Sequence, residues 1–247
     1  MNCSIYHSIL QNTRKRKIFA LLIDPDKQTN KSLVEILNRA ERAGVDLLLV
    51  GGSLISSGMD NHILQIKKLC SIPVLLFPGS LLQISDKADG LLLLSLISGR
   101  NPELLIGNHV IAAPVLKKSN LEVISTGYIL IENGKMTSVE YISNSKPIPA
   151  DKYDIVVATA IAGEMLGLKL IYLEAGSGAH NRINDRMISE VRKNISIPLV
   201  VGGGISSVED LESVYRAGAD IAVVGSAVEK NISILDDFML LTKNFKV

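Results

Sequence analysis

Short aliphatic runs recur along the chain from Ile18 onward, and between them apolar positions return with the three-to-four-residue step of a helix. The runs are IFALLI (18–23), DLLLV (46–50), PVLLF (73–77), GLLLLSL (90–96), EVISTGYILI (122–131), KLIYL (169–173), PLVV (198–201) and IAVV (221–224). Their apolarity is nearly continuous, as in parallel strands buried on both faces. Between runs, Leu33, Ile36, Leu37 and Ala40 share one helix face, as do Val208, Leu211 and Val214. Both of these helices end in the same device, RAGVD (42–46) and RAGAD (216–220), where glycine can take a left-handed cap before the next strand. The pattern predicts an α/β chain folded as one modified (β/α)8 TIM barrel over residues 1–247, a length normal for that fold.

Two segments break the rhythm. PGSLLQISDKAD, between Phe77 and Gly90, barely accommodates a crossover with its helix, so the third helix is predicted to be short or missing. ENGKMTSVEYISNSKPIPA (132–150) is polar and turn-rich, and is expected to form a loop or small hairpin over one barrel mouth.

Composition narrows the function classes. Hydrophobic residues make up 47% of the chain, with no Trp, which argues against disorder. Net charge is +1 with scattered Lys and Arg, so the electrostatic footprint of a nucleic-acid binder is missing. The one basic run, RKRK (14–17), reads as a solvated strand entry rather than an anionic-membrane contact. Cys3 and Cys70 make no metal spacing and suit a reducing cytoplasm. Apolar runs, including GLLLLSLIS from Gly90, are too short to cross a membrane, so no stable insertion is expected.

Barrel active sites lie at the C-terminal ends of the strands, which directs attention to DPDK (24–27), GGS (51–53), PGS (78–80), EAGSG (174–178), GGGISS (202–207) and GSA (225–227). Glycine-rich turns after the sixth, seventh and eighth strands can bring backbone amides close to an anion, and together they predict a phosphate cradle rather than mere tight turns. Ser206 and Glu209 carry a capping signature for the following helix. Asp24 and Ser53 follow the first two strands and could converge on a hard cation such as Mg²⁺. An Asx turn and a helix cap explain the same two residues equally well. Glu174 would repel phosphate, so its expected task is to accept hydrogen bonds from hydroxyls or to act as general base; Tyr172 points to the same strand face. The histidines at 7, 62, 109 and 180 form no metal pair, and only His180 falls near this site, as a loop residue.

RKIFALLIDPDK (16–27), VGGS (50–53), FPGS (77–80), GYILI (127–131), KPIP (146–149), YLEAGSGA (172–179), PLVVGGGI (198–205) and VVGSA (223–227) together resemble the geranylgeranylglyceryl phosphate synthase family of prenyltransferases. YLEAGSGA is the most specific of these. The resemblance implies a barrel without a regular third helix, and transfer of a geranylgeranyl group from its diphosphate to the 3-hydroxyl of sn-glycerol 1-phosphate in archaeal-type ether lipid synthesis. It implies Mg²⁺ at Asp24 and Ser53. Glycerol phosphate would be held by Tyr172, Leu173, Glu174, Ala175, Gly176, Ser177 and Gly178, with Gly203, Gly204, Gly225 and Ser226. Family members often carry Asn at the position of Ser226. A homo-oligomer is also implied. Rival readings are a longer, heptaprenyl donor; a phosphate-binding isomerase or lyase needing neither Mg²⁺ nor an apolar trough; and a non-catalytic sensor of a phosphorylated metabolite.

Overall fold

In the computed structural model, which describes residues 4–55 and 58–246, eight parallel strands close into a barrel in sequence order. They are β1 (Ile18–Ile23), β2 (Leu47–Val50), β3 (Val74–Leu76), β4 (Gly90–Leu96), β5 (Glu122–Leu130), β6 (Leu170–Glu174), β7 (Leu199–Gly202) and β8 (Ile221–Val224). Each strand lies inside the run that predicted it or matches it to within a residue. Cys3 lies outside the described residues. Pairing of Ile18 with Ile221 joins the last strand to the first.

Strand alternation divides the aliphatic residues into two cores. Leu21, Leu48, Val74, Leu91, Ile171, Leu173 and Val201 face the helices, whereas Ala20, Leu49, Leu75, Leu92, Tyr172 and Val200 fill the barrel interior. Helices α2 (Asn30–Ala43), α3 (Met59–Leu69), α4 (Asn108–Lys118), α6 (Tyr153–Met165), α7 (Asp185–Asn194), α8 (Val208–Ala217) and the last helix, Ile234–Asn244, belong to the outer layer. The apolar face read from the sequence is the buried face of α2, and Gly44 and Gly218 cap α2 and α8 at φ 75° and 115°. Both angles are left-handed, a region glycine enters without steric cost.

After β3 the chain makes only a one-turn 3-10 helix, Leu81–Gln83, before β4, as the shortness of that segment predicts. The 132–150 segment is not a hairpin. It carries a short helix, α5 (Ser138–Ser143), capped by Thr137, and a parallel bridge from Ile131 to Ile148. The capping box at α8 is also displaced by one residue from the expected pair: Ser207 and Asp210 form it, not Ser206 and Glu209. Ser206 instead donates its amide and hydroxyl to Asp210.

A helix not foreseen from the sequence, α1 (Ile5–Thr13), packs Ile5, Tyr6 and Ile9 against the interior core. Glu122, at the start of β5, accepts the amides of Ile5 and Tyr6 and the Ser4 hydroxyl, fixing the N-terminus of α1 to the N-terminal end of the barrel. Burial pushes the Glu122 carboxyl up, but these donors outweigh it and hold the group below its ordinary value. Among the described residues no helix is long and apolar enough to cross a membrane.

Candidate active site

A cavity of about 1000 Å³ opens at the C-terminal ends of the strands and is lined by parts of all six motifs singled out above. Its floor is aromatic. Phe77, following β3, stacks on Tyr172 of β6 with centroids 5.5 Å apart, and Tyr128 of β5 meets both rings edge-on at 5.8 and 5.2 Å. Register explains the pairing, because Tyr128 lies directly opposite Tyr172 and both point inward. Phe77 and Tyr128 were not singled out in the sequence, since a near-continuous apolar run conceals which residues face the barrel axis.

Glu174 is the last inward-facing residue of β6 and is only 5% exposed. Its Oε1 accepts the Gly176 amide at 2.6 Å. Burial raises its pKa; the Gly176 amide and the nearby hydroxyls of Tyr172 and Tyr128 counter that only in part. Tyr172 Oη is buried and makes no hydrogen bond of ordinary geometry among the described residues, yet it lies close enough to Glu174 to draw that carboxyl's pKa down. A carboxylate raised in this way, beside an unsatisfied hydroxyl, suits proton exchange with a bound alcohol.

The glycines around Glu174 are required by close approach. Gly203 has φ +82°, and a Cβ there would stand 2.7 Å from both Glu174 Oε1 and the Gly176 nitrogen. Gly204, at φ +73°, would meet the Arg182 backbone at 2.7 Å. Arg182 braces that turn from behind, with ion pairs to Asp185 and Asp210. Ser177, Gly178, Gly203, Gly204, Gly225 and Ser226 all line the cavity. Leu173 and Ala175 instead face the helix layer, so any part they take in binding is through backbone alone. Gly176 does not line the cavity, and its amide serves Glu174. His180 lines it as an exposed loop residue.

The 132–150 segment is fastened to the β6 loop. Asn133 donates its side-chain amide to the Ala175 carbonyl, and Thr137 packs so closely on Gly176 that no Cβ would fit between them. Beyond it, Met136, Val139, Tyr141 and Ile142 give the cavity an apolar wall. Gln83, buried in the abbreviated segment after β3, donates to the Gly52 carbonyl at 2.8 Å and accepts the Gly79 amide at 3.1 Å, tying the loops after β2 and β3 together.

Asp24 makes the Asx turn, accepting the Asp26 amide at 3.3 Å, yet its second oxygen remains in the cavity wall and pairs with Lys27 at 3.1 Å. Ser53 lines the same wall and caps no helix, because α3 starts only at Met59 behind Gly58. The two fit a hard cation. They offer oxygen donors, and Gly52 leaves the Asp24 carboxylate approachable, since a Cβ there would crowd it at 3.1 Å. No cluster of three His, Cys, Asp or Glu is found among the described residues.

This arrangement has close relatives. The geranylgeranylglyceryl phosphate synthase of Chitinophaga pinensis is 52% identical over 239 residues, covering 96% of this chain and 95% of that one. The enzyme of that name from Methanosphaera stadtmanae is 40% identical across 92% of the chain and 93% of its own length. The crystal structure of (S)-3-O-geranylgeranylglyceryl phosphate synthase from Thermoplasma acidophilum, in complex with its substrate sn-glycerol-1-phosphate, superposes with a TM-score of 0.93 at 31% identity, covering 98% of this chain and all of that one. The model of the PcrB family matches residues 10–242, and the chain belongs to that family.

Proposed function

We propose that this protein joins a geranylgeranyl group to the 3-hydroxyl of sn-glycerol 1-phosphate, releasing diphosphate. The observation that carries the reading is the seating of a buried, only partly compensated carboxylate against a glycine turn that leaves no room for a single Cβ at Gly203. Backbone amides of the turns after β6, β7 and β8 would hold the phosphate, while Glu174 and Tyr172 take the hydroxyls. The relatives named above, and the glycerol phosphate bound in one of them, support the same assignment.

In the transfer, the allylic carbon–oxygen bond to diphosphate breaks and a carbon–oxygen ether bond forms from the glycerol. The alcohol is a weak nucleophile, so its orientation carries much of the rate. Glu174 accepts the hydroxyl proton, and its raised pKa brings it nearer the pH at which a base is most effective. Asp24 and Ser53 would hold Mg²⁺, which when bound neutralises charge developing on the departing diphosphate. The apolar wall of Met136, Val139 and Ile142 would shelter the isoprenoid chain from water. Exposed Val110, Ile111 and Val115 on α4 support assembly with a second copy, which light scattering would measure.

Incubation with sn-glycerol 1-phosphate and labelled prenyl diphosphates of graded length, with and without Mg²⁺, tests the reading. A geranylgeranyl ether formed only with the metal is the expected product. Binding of glycerol phosphate without any ether would support the sensor reading instead, and ether formation only from a heptaprenyl donor would reassign the substrate.

A further inference from the structure

The cavity's charge balance is at odds with its proposed cargo. Among its described lining residues are three carboxylates, Asp24, Glu174 and Glu229, and two lysines, Lys27 and Lys230. Two polyanionic groups, a phosphate and a diphosphate, must nevertheless sit there together. Lys27 occupies a position from which it could change partners. It ends the one-turn helix Pro25–Lys27, its side chain is 50% exposed while that of Asp24 is 16% exposed, and its ammonium lies 3.1 Å from Asp24 Oδ2. It also faces Glu229, whose carboxyl is pushed up by burial and by the Asp24 charge and drawn down by the Lys27 ammonium.

Resting on the proposed prenyl transfer, we propose that Lys27 is a binding residue for the donor's diphosphate, held by Asp24 until a divalent cation takes that carboxylate. A magnesium ion binds a carboxylate oxygen at about 2.1 Å. It could not share Asp24 Oδ2 with an ammonium already in contact with it without strong like-charge repulsion. The lysine stem is long and half in solvent, so the displaced ammonium can pivot without disturbing the core. A diphosphate bound with the metal would offer the freed ammonium acceptor oxygens, in competition with the Glu229 carboxylate. Lys27 thus neutralises Asp24 in the free protein and the leaving group in the loaded one.

The test uses the full chain, Mg²⁺ alone and inorganic pyrophosphate, followed by titration calorimetry. Lys27→Met should bind Mg²⁺ alone about 3-fold more tightly, because a competing cation is gone. The same variant should bind pyrophosphate at saturating Mg²⁺ about 10-fold more weakly, having lost a charge-assisted hydrogen bond. Lys27→Arg should restore most of the pyrophosphate affinity. A Lys27→Met protein whose pyrophosphate affinity stays within about 2-fold of wild type overturns the assignment; so does one that binds Mg²⁺ more weakly. If wild-type protein takes up glycerol 1-phosphate but shows no pyrophosphate affinity with Mg²⁺, the donor-site reading itself fails, separately from the role of Lys27.

Discussion

Replacing Glu174 by Gln should move stability and turnover in opposite directions. The carboxylate is buried, without a cation among its described contacts, and accepts a hydrogen bond from the Gly176 amide at 2.6 Å. Desolvating a carboxylate costs several kcal/mol, and a hydrogen bond to a charged group returns roughly 1.5–3 kcal/mol, which leaves a net penalty on the order of 1–2 kcal/mol. Glutamine fills the same space and still accepts the Gly176 amide. Its NH₂ group can donate to Tyr172 Oη, which now lacks a partner. The sign with pH follows from the raised pKa of Glu174. Below the ordinary carboxylate pKa the side chain is protonated in folded and unfolded chains alike, and the variant gains nothing. As pH rises through the folded pKa the wild type bears the full penalty, and the advantage of Glu174→Gln reaches its plateau. Urea unfolding at pH 4 and pH 8 measures the difference, while steady-state turnover should fall about 100-fold or more with glycerol phosphate affinity retained. A variant equally stable at both pH values relative to wild type would refute the claim of a net burial penalty on this charge, and near-normal turnover would remove Glu174 from the chemistry.

Gly203→Ala should cost about 1–2 kcal/mol from its left-handed backbone alone, and more from the clash with Glu174 and Gly176; calorimetric binding of glycerol phosphate should weaken sharply. Gln83→Ala leaves the Gly79 amide and the Gly52 carbonyl without their partner, a loss of about 2–3 kcal/mol in urea unfolding. Glu122→Gln should loosen α1 and flatten the acid limb of the stability profile. The wild-type carboxyl is held low when folded, so its contribution is present above the unfolded pKa and is lost as pH falls through the folded one.

Strand positions and helix caps were readable because each depends on local pattern: an aliphatic run between polar segments, or a glycine where Gly44 and Gly218 need positive φ. Gly203 and Gly204, also at positive φ, were readable for the same reason. What escaped were features fixed by tertiary neighbours. Phe77 and Tyr128 become the cavity floor only through the barrel register, and Gln83 gains one of its two partners, Gly52, from a loop 31 residues away. The capping box was misplaced by one residue because serine and acid stand side by side in SSVED, so either pair satisfies the pattern. The helix Ser138–Ser143 escapes the pattern because six residues, fewer than two turns, are too short to show a period. At Asp24 one oxygen closes the expected Asx turn, while the other faces the cavity and pairs with Lys27.

The seam between Ile18 and Ile221 gives the barrel a kinetic character of its own. Bringing those residues together closes a loop of most of the polypeptide, so the last pairing is entropically the most distant and should be slow to form. The turns that would grip the phosphate follow the strands nearest that seam, which means a nascent chain emerging from the ribosome has no assembled pocket until its final strand arrives. Ligand capture during refolding should therefore report ring completion itself, lagging behind the burst of helical signal.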